Sequence, residues 1–329
     1  MRSQPGWLPP ILSAVLLAAA HTAGAQTPSP ALLVLNKEGA LAIVDPQTGK
    51  VVASVRTGDA PHEVAVSTDH KLAFVSNYGT AERPGSTISV IDIPARRELR
   101  RVDIAPLCRP HGLATAGGKL YFTAEVNKLI ARYDPEANRI DWLLGTGENT
   151  THMIRVSDDG SHIYTSNIGS NTISLIERAG AIDWRETVVP VGKGPEGFDL
   201  TPDGKQLWAA HSRDGGVSVI DLFTKRVVQT FGVQTKRSNR LRFTPDGRLV
   251  LISDLEAGDL LVLERTTKKT LKRMKLGRNP AGILVEPSSQ RAYVAVTGDN
   301  NVAVIDLKTL DLVNRITAGN GPDGMAWVP

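Results

Sequence analysis

The feature that most constrains this chain is a turn-and-strand unit that recurs about every 43 residues along most of its length. Its anchors are seven tripeptides: Pro61-His62-Glu63, Pro110-His111-Gly112, Thr151-His152-Met153, Pro195-Glu196-Gly197, Ser238-Asn239-Arg240, Pro280-Ala281-Gly282 and Pro322-Asp323-Gly324. Their middle residues are spaced 49, 41, 44, 43, 42 and 42 apart. In the fourth unit, residues 197–200 form a short strand. Residues 201–205, Thr-Pro-Asp-Gly-Lys, form a turn in which Pro presets φ and Gly supplies a positive one. Residues 206–210 make a second strand, 217–221 a third with period-two alternation, and 226–231 a fourth. Residues 88–92, 173–177 and 302–306 repeat the third strand. Four strands per unit of this length is the pattern of a propeller blade. No segment carries a useful 3.6-residue apolar stripe, which sets aside a helical solenoid of similar period.

The two ends of the chain predict how the array closes. After Gly324 only one inner strand remains, while residues 32–35, 41–44 and 51–55 make three strands before the first anchor. Together they complete a seventh blade, so no open edge is left for strand-to-strand association. The expected fold is therefore all-β: one seven-bladed β-propeller over residues 26–329, with four-stranded blades. The 30 Gly and 20 Pro of the chain, scattered rather than clustered, point to many short turns, and its single Cys excludes an intrachain disulfide and a Cys-rich metal cluster.

Residues 1–25 read as an export leader. Arg2 is followed by the apolar run 11–20 and by Ala23-Gly24-Ala25, a small-x-small cleavage signal before Gln26. The expectation is a periplasmic or secreted monomer without membrane insertion.

Phe74-Val75-Ser76-Asn77-Tyr78-Gly79, Tyr293-Val294-Ala295-Val296 and the repeated third strands resemble the YVTN-type (YncE-like) β-propeller family over essentially all of residues 26–329. That resemblance implies the fold and leaves the function open. The chain also resembles, more weakly, the lactonase-type propellers, which carry His at the start of consecutive inner strands. His62, His111 and His152-Met153 match those positions, but Thr151 stands where that family has Arg. Pro110-His111-Gly112 is similar to the inner-strand starts of streptogramin B lyases, whose Trp-Phe-Thr-Glu strand is absent here.

Alternating strand directions put the start of each inner strand and the loop after each second strand on one face, around the channel mouth. The middle anchor residues there are His62, His111, His152, Glu196, Asn239, Ala281 and Asp323. Three of the seven histidines of the chain thus occupy one structural position. The second-strand ends add Asn77, Glu125, Asn167 and His211, with Tyr78 beside them. His62, His111, His152 and Glu196 form a candidate site for a divalent metal ion, because imidazole and carboxylate suit such ions. The same cluster could act as acid and base, with His111, His152 and Glu125 as catalytic candidates. Glu196, His211, Arg240, Asp323, Asn77 and Tyr78 are candidate ligand-binding residues.

Arg240 could clamp a carboxylate or phosphate, or pair with Asp254 or Glu256. Cys108, three residues before His111, is a candidate ligand or an incidental thiol. Residues 78–86 exceed the equivalent loop, 168–171, by five residues, which places an insertion beside the histidines. The basic run Lys268–Lys275 falls on an outer strand and lacks interleaved aromatic residues, so it reads as a solvated edge rather than a nucleic-acid surface.

Three functions follow from these residues. The first is binding of a small or anionic ligand, or a divalent metal, at the channel mouth. The second is an enzyme of lactonase, lyase or isomerase type using the same cluster. The third is a protein-interaction scaffold acting through the rim.

Overall fold

The computed structural model describes Met1 and residues 27–329. The expected leader lies, Met1 apart, outside these residues. Among the described residues there are twenty-eight strands, numbered β1–β28 along the chain, in seven four-stranded antiparallel sheets. Six sheets consist of four consecutive strands each. Their inner strands are β4 (Pro61–Val66), β8 (Pro110–Ala116), β12 (Thr151–Val156), β16 (Pro195–Leu200), β20 (Ser238–Phe243) and β24 (Pro280–Val285). Every one begins at the first residue of an anchor tripeptide. The seventh blade has β28 (Pro322–Val328) innermost, followed by β1 (Ala31–Asn36), β2 (Ala40–Val44) and β3 (Val51–Arg56). The pairing Leu32↔Trp327 and Leu33↔Ala326 closes the ring with both ends of the chain, as expected.

Strand alternation explains the packing. Each sheet buries both faces, because it stands edge-on to the channel with a neighbour on either side. Seven apolar clusters result, one between each pair of neighbouring blades. Outer strands see solvent on alternate residues, as along Arg97–Asp103. The basic run ends on such a strand, β23 (Thr270–Lys275), where Lys272 pairs with Asp311 of the next blade and Arg273 with Asp259.

The insertion in the first blade is not the loop expected. Most of it is strand: β5 (Leu72–Gly79) and β6 (Pro84–Asp92) lengthen the hairpin, with Gly79 paired to Pro84 and a four-residue tip at residues 80–83. Extended pairing satisfies backbone groups that a loop would leave to water.

Six inner strands are entered through a residue with positive φ: Ala60, Arg109, Thr150, Gly194, Asn279 and Gly321. This left-handed residue turns the chain into the strand and aims the next residues at the channel. Thr150, at φ 56°, is β-branched and so stores strain at the rim.

Candidate functional site

Two rings of seven residues build a cavity of about 550 Å³ at the channel mouth. The inner ring holds the middle anchor residues: His62, His111, His152, Glu196, Asn239, Ala281 and Asp323. The outer ring holds the residue that follows the last position of each second strand paired with its inner strand: Tyr78, Glu125, Ile168, Ser212, Leu255, Thr297 and Lys37. Thr150, Arg213, Arg237, Arg240 and Asn279 complete the lining.

Sequence reasoning found the whole inner ring. On the outer ring it found Tyr78 and Glu125, stopped one residue short in the third and fourth blades, and named no residue in the other three. Asn77, Asn167 and His211 sit at the last paired position, and in a strand that one-residue step points the side chain away from the mouth. There they fasten loops. Asn77 accepts the Gly58 N–H at 2.9 Å and donates to Thr87 and Ser89 at 3.0 Å each. Asn167 donates to Thr172 and Ser174. His211 bonds Asp214 through Nδ1 at 2.9 Å and accepts the Gly192 N–H at Nε2. The same repeat logic, moved by one residue, would have located Lys37, Ser212 and Thr297.

The most tightly clustered titratable groups of the cavity lie between the second and third blades. Gly112, next to His111, lets the two inner strands approach: a Cβ there would sit 2.5 Å from the His152 carbonyl oxygen. The His111 and His152 rings lie against each other with centroids 3.8 Å apart and planes tilted by 32°, 3% and 8% exposed. Glu125, from the end of β9 (Lys119–Ala124), accepts His152 Nδ1 at 2.5 Å through one carboxylate oxygen. Its other oxygen accepts the Tyr78 hydroxyl at 2.5 Å, so the lengthened hairpin of the first blade reaches into the second. Arg109 lies over the Tyr78 ring at 4.7 Å and donates to the Thr80 carbonyl. This chain of contacts holds the His152 ring with Nδ1 toward Glu125, which leaves Nε2 without a proton in the neutral ring. Among the described residues, His152 Nε2 and His111 Nδ1 are buried with no hydrogen-bond partner.

His111, Glu125 and His152 each bring a ligand atom within 4.8 Å of the others. His62 and Glu196, also expected as metal ligands, stand outside this group. His62 packs against Tyr78 and His111, with ring centroids at 4.6 and 5.1 Å, and its Nδ1 is 3.6 Å from Asp323. Glu196 accepts the Asn239 amide at 2.5 Å. Cys108 is half-buried, donates its N–H to Asn127, and does not line the cavity. Arg240 pairs with Glu63, on the far side of the ring, instead of Asp254 or Glu256. Asp254 is occupied by the backbone N–H groups of Lys236 and Arg237.

Burial decides the charges. It drives His62 down to about 4, helped by the positive charges of Lys37 and Arg240 and opposed by Asp323. Burial, with His152 and His62 close by, puts His111 well below its ordinary value. For Glu125 burial works upward, but the hydrogen bonds from His152 and Tyr78 hold its carboxyl below the usual range. Tyr78 is pushed up to about 12 by burial and by the Glu125 charge. The histidines with resolved shifts are therefore neutral near pH 7, next to an ionised carboxylate. That is the protonation state in which imidazole binds a metal or accepts a proton.

Comparison with known proteins agrees with this architecture. A family model described as "Lactonase, 7-bladed beta-propeller" matches residues 136–226. Antigen Lp49 of Leptospira interrogans is 25% identical over 188 residues, 51% of this chain and 41% of that protein. YncE of Salmonella typhi is 21% identical over 220 residues, 63% of this chain and 62% of that protein. The chain thus spans less than two thirds of either relative's length. The periplasmic gluconolactonase PpgL of Pseudomonas aeruginosa superposes with a TM-score of 0.72 at 14% identity, covering 91% of this chain and 99% of that one. In sequence and fold, the chain is a seven-bladed β-propeller similar to YncE and to the lactonase-type propellers.

Proposed function

We propose that this protein binds a divalent metal ion, and with it a small ligand, at the channel mouth. The observation that carries the reading is the pair of buried, unpartnered ring nitrogens, His111 Nδ1 and His152 Nε2. Buried polar atoms without partners are uncommon and call for an explanation. A metal ion explains both. Glu125 on His152 Nδ1 is the carboxylate–imidazole arrangement that orients a metal-ligating histidine and raises its basicity. In this reading His111 and His152 are ligands and Glu125 stands behind them, because Tyr78 and His152 already occupy its two oxygens. A bound ion would polarise an oxygen of the ligand. We place the protein in the periplasm, on the leader expected from its sequence.

A second reading is hydrolysis of a lactone. It is favoured by the Glu125–His152 pair, which leaves Nε2 as a general base, and by the lactonase description of the family model that matches residues 136–226. One set of purified proteins tests both. Wild type should carry a transition metal that His111→Ala and His152→Ala lose. Turnover of a lactone panel above the His152→Ala background would add the enzymatic reading, and its absence would leave binding alone.

A further inference from the structure

The cavity carries a second feature that the metal reading does not use. Arg213 and Arg237 line it, both exposed, and neither has a carboxylate partner among the described residues. The other charges of the lining are matched internally. Lys37 pairs with Asp323, Arg240 with Glu63, and Glu125 with His152. Glu196 is held by Asn239 and faces the charge of Arg240.

The two loops that present these arginines are fixed and abut. Arg213 lies on residues 212–215, where Ser212 bonds the Gly194 carbonyl through both N–H and hydroxyl. Arg237 lies on residues 233–237, where Asp254 accepts the Lys236 and Arg237 N–H groups at 2.7 and 2.9 Å. The Val233 N–H donates to the Gly215 carbonyl at 3.0 Å, and a Cβ on Gly215 would lie 2.5 Å from the Thr235 oxygen. Each arginine is thus two residues from the contact that joins the loops. The loops are ordered by backbone bonds, and the guanidiniums are left over for something else.

We propose that Arg213 and Arg237 form an anion-anchoring subsite, so that the ligand of this cavity is a small organic anion. Its carboxylate or phosphate rests on the two guanidiniums while its uncharged end reaches toward His111 and His152. The inference rests on the channel mouth being a ligand site. Guanidinium is suited to the task because its planar donors match both anions with paired hydrogen bonds. Charge on the rim would also draw such ligands to the mouth and fade with added salt.

The test uses three matched probes, glycerol 3-phosphate, glycerate and glycerol, titrated calorimetrically into the whole mature chain after chelator treatment. The anions should bind and glycerol should not, and the tighter anion identifies the charged group. Arg213→Ala with Arg237→Ala should weaken both anions by about tenfold or more. Lys269→Ala with Lys308→Ala removes the same charge elsewhere on the surface and should leave binding unchanged. Equal binding by wild type and the double arginine variant would overturn the proposal. So would binding of glycerol as tight as that of the anions, or no binding of either anion to wild type. Metal content measured separately on the same proteins keeps the two readings apart. The arginine variant should retain the metal, and a wild type without metal would leave the titrations valid.

Discussion

His62 shows how one side chain reports on its surroundings. Its ordinary pKa is 6.5, and in the fold burial holds it near 4. Between those values the unfolded chain binds the extra proton and the native state does not, so stability falls as pH is lowered across that window. His111 is shifted in the same direction. In metal-free protein, urea unfolding midpoints should therefore drop between about pH 6.5 and about pH 4, and His62→Gln should flatten that slope. An unchanged slope would mean that His62 is hydrated in the native state. At this scale the sequence was legible wherever the repeat fixed a position. It identified every inner-ring residue but misread Asn77 and His211 as facing the mouth. Composition cannot show that error, because a polar residue at the end of a strand can serve a ligand or a loop. Only the alternation of the strand decides which, and it turns on a single residue.

The lengthened hairpin β5–β6 is the element that makes this repeat asymmetric. The excess over the 44-residue spacing was visible in the sequence, but its form was not. Residues 78–86 read as a loop, yet Gly79 and Pro84 pair across the hairpin. Tyr78, at the outer-ring position where this hairpin lengthens, donates to Glu125, which in turn bonds His152. Tyr78→Phe removes the hydroxyl that donates to Glu125 while leaving the ring against His62. By analogy with other residues that orient metal ligands, metal affinity should fall by about 10- to 100-fold, with little change in melting temperature. Competition with a chromogenic chelator would measure it, and unaltered affinity would separate the hairpin from the site.

At the scale of the whole molecule, Glu63 and Arg240, which lines the cavity, join the first and fifth blades across the channel. Nothing in the sequence announced this pair. Its partners are 177 residues apart, and each is the third member of an anchor where Gly112, Gly197, Gly282 and Gly324 stand in other blades. Breaking it leaves a buried charge without a partner. Arg240→Met should therefore cost about 3–5 kcal/mol in chemical denaturation, and adding Glu63→Gln should recover much of that loss. A cost near zero would show that the ring does not depend on the pair. The seven-bladed closure, by contrast, was fully legible, because one inner strand at the C-terminus and three strands at the N-terminus admit only one completion.

The most direct test of the account is the metal content of the purified mature protein, measured by inductively coupled plasma mass spectrometry beside His111→Ala and His152→Ala. The account predicts close to one transition-metal ion per wild-type chain and almost none in either variant. It also predicts that the ion stabilises wild type alone when added back. Wild type that emerges metal-free and gains no stability from zinc, copper, manganese or iron would contradict it.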